Sequence, residues 1–177
     1  MIKQVARGLI VILLVVCVYV GVQPSQFAIS RERLVKGSPE QIFPLINNSK
    51  KANEWMPWKD SDPSVVMVYS GPDEGVGSVS SWDGTGQMGT GRAEVVESIP
   101  NRSVKTQLTY TKPMEMSQLA EISLNPAAEG TVVKWTVVGN NNFIGRLFCL
   151  FMNMDKMVGG EFEKGLAKLQ QQVEAGE

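Results

Sequence analysis

The amino-acid sequence predicts an α+β domain: a curved antiparallel sheet of about seven strands wrapped on a long C-terminal helix, with an N-terminal transmembrane helix ahead of it. Three patterns carry that prediction. Residues 64–138 alternate with period two, broken only by turn residues. From Phe143 to Val173 apolar residues recur at steps of three and four, and residues 8–22 contain no charge.

The chain divides into residues 1–25, an N-terminal membrane anchor or signal peptide, and residues 26–177, a single domain of ordinary size. Lys3 and Arg7 precede the uncharged run, in which Leu9, Ile10, Val11, Ile12, Leu13 and Leu14 form the apolar centre. As a helix this run of 15 residues covers roughly 22 Å, short of the ~30 Å hydrocarbon core. Snorkelling of Lys3 and Arg7, with no further charge before Arg31, makes a span feasible. A signal peptide shares the positive start, but Val18, Val20 and Val22 crowd the positions where cleavage needs small residues. The expectation is an uncleaved anchor with a cytoplasmic N-terminus and the domain across the membrane; secretion after cleavage is the alternative.

In the domain, Gln26–Lys36 reads as the first strand. Gly37 stops it, Ser38 is placed to cap a helix, and Pro39 suits the first helical position. Ile42, Phe43, Leu45 and Ile46 give that helix its apolar face, Pro44 and the Asn47-Asn48-Ser49 cluster keep it short, and a second helical turn runs from Lys50 to Trp55. Strands follow at Ser64–Tyr69, Gly77–Trp82, Gly91–Ile99, Ser103–Thr111, Ser117–Leu124 and Thr131–Val138. Turn residues separate them: Gly71 to Gly75, Asp83-Gly84, Pro100-Asn101, Lys112-Pro113 and Pro126 to Gly130. Regular spacing with no helical interruption means an antiparallel meander. One helix then carries Leu147, Phe151, Met154, Val158, Phe162, Leu166, Leu169 and Val173 on a stripe long enough to cross the sheet.

Composition narrows the chemistry. The chain has no histidine, which removes the usual neutral-pH general base and the commonest metal ligand. Ser-His and Cys-His nucleophile systems and His-rich zinc hydrolases are excluded. A formal net charge of −1 selects neither nucleic acid nor acidic substrates. Cys17 and Cys149 read as small buried hydrophobes that do not pair. Gly84-Thr-Gly86-Gln-Met-Gly89 matches a dinucleotide-binding pattern in letters only, because a strand follows where a helix is required. These are hairpin glycines, and neither a cofactor site nor a metal site is expected.

The order of elements and several local motifs resemble the SRPBCC superfamily, also called START-like, in its polyketide cyclase/dehydrase branch. The motifs are Ser38-Pro39-Glu40-Gln41-Ile42-Phe43, Trp55-Met-Pro-Trp58 with Asp62-Pro63, Tyr69-Ser-Gly71-Pro72 running into Gly75-Val-Gly77, Trp82, Gly130-Thr131 leading to Trp135, and Met154 to Leu166. The resemblance implies a helix-grip fold over Phe27–Glu174, with a hollow between sheet and last helix. It implies a hydrophobic small molecule or lipid as partner, with Trp82, Tyr110 and Trp135 as walls joined by Tyr69, Met154 and Val158. Aromatic rings with polar tips and flexible thioethers suit such a lining; core filling is the plain alternative for each.

The branch name also raises an enzyme, a cyclase or dehydratase, whose carboxylate would come from Asp60, Asp62, Asp83 or Glu94, with Arg92 holding the oxyanion. No catalytic residue is assigned, since Arg92 and Glu94 share a strand face and form an equally good exposed pair. A third reading is an interaction or stress-related domain with a collapsed pocket. Gly159, Gly160 and Gly165 weaken the last helix by about 1 kcal/mol each unless something approaches closely there.

Overall fold

The computed structural model describes residues 2–58, 62, 65–84, 86 and 88–176. Its elements are α1 (Ile2–Val22), β1 (Gln26–Val35), α2 (Pro39–Asn47), α3 (Ser49–Trp55), β2 (Val66–Ser70), β3 (Val79–Asp83), β4 (Thr90–Ile99), β5 (Ser103–Lys112), β6 (Met116–Ala127), β7 (Gly130–Asn140), α4 (Phe143–Phe151) and α5 (Met154–Ala175). Asp60, Pro63, Ser64, Thr85 and Gln87, all named above, lie outside the described residues.

The seven strands make one antiparallel sheet in the order β1-β7-β6-β5-β4-β3-β2. β2 to β7 form the predicted meander, and β1 closes the far edge against β7 with Ile29 opposite Val137 and Val35 opposite Thr131. Alternation follows from the pleat: Thr131, Val133, Trp135 and Val137 are buried on one face of β7, while Lys134 and Val138 are exposed on the other. A register shift between Val95 and Glu97 puts an irregularity in β4, the kind of feature that bends a sheet. The concave face so formed receives α5, whose Phe162, Leu166, Leu169 and Val173 enter the core with Ile29, Ile122 and Val133.

Two glycines explain how α5 lies so close. A Cβ on Gly159 would stand 2.1 Å from the Arg31 guanidinium, and one on Gly165 would meet the Trp135 ring at 3.0 Å. Gly160 has nothing within 4 Å, so no contact accounts for it.

Arg31, on the concave side of β1, clasps the start of α5. It donates to Asp155 at 3.0 Å and to Glu163 at 2.8 Å. Hydrogen bonding from Arg31 holds the Asp155 carboxyl below its ordinary value. A carboxyl lowered in the folded state contributes stability that is complete above its unfolded pKa, about 3.9. That stability is lost as pH falls through the lower folded value. Urea unfolding of the full chain in mild detergent is therefore expected to weaken below about pH 4, and the Arg31→Met variant should show a shallower acid slope.

Several expectations need correction. The helix expected over Phe143–Val173 is two, a short one ahead of the long C-terminal helix. The Met152 backbone is extended, its N–H closes α4 on Phe148, and the Asn153 side chain caps α5 by accepting from the Lys156 N–H. A side-chain acceptor at that position competes with helix continuation, and the apolar stripe conceals the break because its spacing survives it. α2 is short as expected, ending at Asn47 with Pro44 inside it, but Pro126, read as a turn residue, stays paired with Thr131 in the β6–β7 ladder. Both cysteines are exposed, Cys17 on the projecting α1 and Cys149 on a helix with no buried residue.

The N-terminal segment is helical as expected, and Leu9 to Leu14 are each 57–63% exposed. Among the described residues, however, no helix is long and apolar enough to cross a membrane. The transmembrane helix expected from the sequence is thus not found among them.

Candidate ligand pocket

The concave face is best followed across the strands. Its deepest row holds Arg31, Trp135, Ile122 and Val104 side by side. This part is filled. Trp135 stacks on Phe162 with ring centroids 4.1 Å apart and meets the edges of Trp55 at 5.4 Å and Trp58 at 6.0 Å. The Trp55 indole N–H is satisfied by the Leu45 carbonyl at 3.1 Å. Trp135 is therefore a core residue at 3% exposure, and its predicted place as a wall is taken by packed rings.

Two rows nearer the β1 N-terminus, register places Phe27, Gly139, Gln118, Leu108, Ala93, Ser80 and Tyr69 in line. The next row holds Tyr110, Gly91, Trp82 and Met67. Ala93, Leu108 and Tyr110 point to the helix side yet remain partly exposed, whereas Val95 and Val104 on the same two strands are buried. A concave strip that water reaches, floored by Ala93 and Leu108 and bounded by an aromatic pair, is what the geometry offers here.

That pair is Trp82 and Tyr110, in edge-to-face contact with centroids 5.5 Å apart. Trp82 is buried but stands outside the main core cluster. Its position has two local causes. Gly91 opposite it carries no side chain, and a Cβ there would lie 2.6 Å from the indole. The indole N–H also donates to the Met88 carbonyl at 3.2 Å, tying the ring to the β3–β4 hairpin. Burial pushes the Tyr110 hydroxyl above its ordinary pKa, so it stays a neutral donor and acceptor at physiological pH.

Met154 and Val158, on the first turns of α5, pack against the core cluster from the side. Tyr69 lies in line with Ala93 but at the open edge of the sheet. It borders a small groove of about 100 Å³ with Lys50, Asp73 and Ser78. A larger groove of about 550 Å³ includes Ala28, Gln107, Leu119 and Val138 of the opposite, convex face, and none of the six predicted wall residues lines it. The structure thus brings Trp82 and Tyr110 together, leaves Trp135 in the core, and sets Tyr69 apart.

Sequence reading missed Gly91, Ala93 and Leu108. A glycine inside a strand marks a close approach, and that signal was present at Gly91. Choosing Ala93 and Leu108 needed the cross-strand register.

Among the described residues, the candidate carboxylates do not gather on this strip. Glu94 and Arg92 lie on the convex side and pair with each other at 2.6 Å, both about half exposed. Asp83, exposed, accepts from the Thr90 hydroxyl at 2.7 Å. Asp62 is buried and accepts from the Gly86 N–H at 3.2 Å, fastening the glycine hairpin. Gly84 and Gly89 are hydrogen-bonded across that hairpin, which joins two strands, as the sequence indicated. Among the described residues, no three His, Cys, Asp or Glu are grouped to hold a metal.

Residues 26–174 match the family described as polyketide cyclase / dehydrase and lipid transport. The chain belongs to this family. Solved structures share the fold. The di-domain ARO/CYC StfQ from the steffimycin biosynthetic pathway is 13% identical, with a TM-score of 0.60 over 85% of this chain and 51% of that one. Protein SA2116 from Staphylococcus aureus is 12% identical, with a TM-score of 0.62 over 88% and 98%. The Aha1 dimer from Colwellia psychrerythraea is 20% identical, with a TM-score of 0.54 over 85% and 98%. At these identities the likeness concerns the fold alone. No curated protein matches the chain. For this polyketide cyclase/dehydrase and lipid transport family member, the helix-grip expectation holds: a curved seven-stranded sheet around a long C-terminal helix.

Proposed function

We propose that the domain binds a hydrophobic small molecule or lipid on the strip over Ala93 and Leu108, against the Trp82–Tyr110 pair, and that it works attached to a membrane through α1. One observation carries the binding reading: Ala93, Leu108 and Tyr110 face the helix side and stay partly exposed there, Leu108 at the margin of the core cluster. Apolar surface left open beneath a grip favours an apolar occupant, with a single polar tip, the Tyr110 hydroxyl, to orient it. The family description, which includes lipid transport, agrees with an occupant of this class. Membrane attachment draws support from α1, whose contiguous exposed apolar surface exceeds the scattered residues that water tolerates.

Native mass spectrometry of the full chain in mild detergent, followed by organic extraction, tests the pocket. The parent protein is expected to carry an apolar molecule. The Ala93→Trp variant should release none while keeping its unfolding transition, since the added ring occupies the strip. Equal recovery from both proteins, or none from the parent, would place the function elsewhere.

A further inference from the structure

The amphipathicity of α4 is inverted. Ile144, Phe148 and Phe151 lie at helical steps of four and three, and they are 50%, 54% and 79% exposed. Arg146 lies on the opposite side of the wheel, flanked by Phe143 and Leu150, which are only 41% and 39% exposed. Arg146 is the one charge in the helix, and it turns back onto the protein, donating to the carbonyls of Gly21 and Gln23 at 3.0 Å each. A helix on a water-exposed surface carries its charge outward and its phenylalanines inward. This one does the reverse.

We propose that α4 is an interfacial helix, lying along the headgroup layer of a lipid bilayer with Ile144, Phe148 and Phe151 in the acyl region. The proposal rests on membrane attachment through α1 and adds a second, separate contact. Two observations select a bilayer over another protein surface. The first is continuity: Arg146 pins α4 to the C-terminal end of α1, so two helices with exposed apolar residues meet at one corner. The second is charge. The chain has no Asp or Glu in residues 1–31 or 130–154, so Lys3, Arg7 and Arg146 stand unopposed in both helices. An acid-free, phenylalanine-bearing helix beside an apolar anchor has the chemistry of an anionic lipid surface. A nine-residue helix is also only about 14 Å long, too short by itself for the roughly 800 Å² per partner of a stable protein interface.

The arrangement has a consequence for the pocket. α4 follows β7 directly, and α1 precedes β1, so both lie at the end of the sheet where the Phe27–Leu108–Ala93 row is found. An interfacial α4 turns that end toward the bilayer, which shortens the path of a lipid to the strip.

Tryptophan quenching in the full chain tests this. Phe151→Trp and, separately, Val15→Trp are reconstituted into phosphatidylcholine/phosphatidylglycerol vesicles containing lipids brominated at shallow or deep chain positions. Emission is compared with that of the parent protein. The Phe151→Trp signal is expected to be quenched more by shallow than by deep bromines, and the Val15→Trp signal to be quenched as well. Ile144→Trp repeats the α4 measurement if Phe151→Trp folds poorly. Quenching at Val15→Trp but at neither α4 variant would overturn the interfacial helix and leave the anchor standing. Quenching at none of them would overturn both. Lipid-free shielding of the α4 variants that grows with protein concentration would assign the face to a second copy and overturn the inference.

Discussion

Replacing Trp135 with alanine is expected to lower the unfolding free energy by about 3–5 kcal/mol, the range for removing a large buried aromatic. The indole is sandwiched between the sheet and α5, stacked on Phe162 and met edge-on by Trp55 and Trp58. Truncation leaves three rings facing a hole that none can fill, because Gly165 on α5 already allows the closest approach of helix to sheet. Urea unfolding of the full chain in mild detergent should show a much lower midpoint with an unchanged slope. Trp135→Phe keeps an aromatic face against Phe162 and should cost much less. If Trp135→Ala unfolds within about 1 kcal/mol of the parent, the aromatic block is not the centre of the core. The proposed strip would then have to be sought where these rings stand.

Gly91→Val is expected to abolish ligand recovery, with only about 1–3 kcal/mol lost from stability. The Cβ of any residue here would stand 2.6 Å from the Trp82 ring and 2.7 Å from the Thr109 carbonyl oxygen, so the indole has to leave its seat and the β5 backbone has to give way. Once displaced, it gives up the hydrogen bond to Met88 and the edge contact with Tyr110, and it closes over the strip above Ala93. Extraction from the variant should therefore return no apolar molecule, although the far-ultraviolet circular dichroism stays that of the parent. Undiminished recovery would show that the Trp82–Tyr110 pair does not bound the binding site. Unlike Ala93→Trp, which fills the floor, this variant moves the wall, so agreement between the two would locate the ligand between them.

Much of the architecture was legible in the residues. The strands read at Ser117–Leu124 and Thr131–Val138 lie within β6 and β7, where alternation buries Ile122, Leu124, Val133 and Trp135 on one face. Ser38-Pro39 announced α2, and the glycine hairpin at Gly84–Gly89 was separated from a nucleotide loop because a strand follows it. The site was less legible. Trp82, Tyr110 and Trp135 share a face and a residue class, and nothing along the chain distinguishes the one inside the main core cluster from the two that pair outside it. That distinction depends on the column in which each residue falls across five strands, and hence on register summed over the whole sheet.

By itself, then, the sequence determined the order and faces of the strands, the family, and the absence of imidazole chemistry, because side-chain periodicity and composition are properties of the chain alone. Tertiary structure decided that Phe143–Val173 is broken at Met152-Asn153, that Ala93 and Leu108 stay partly exposed on the helix side, and that α4 leaves Phe148 and Phe151 exposed. Periodicity states which residues share a helix face. It does not state whether that face meets protein, water or lipid, and only the packing of neighbouring elements settles that.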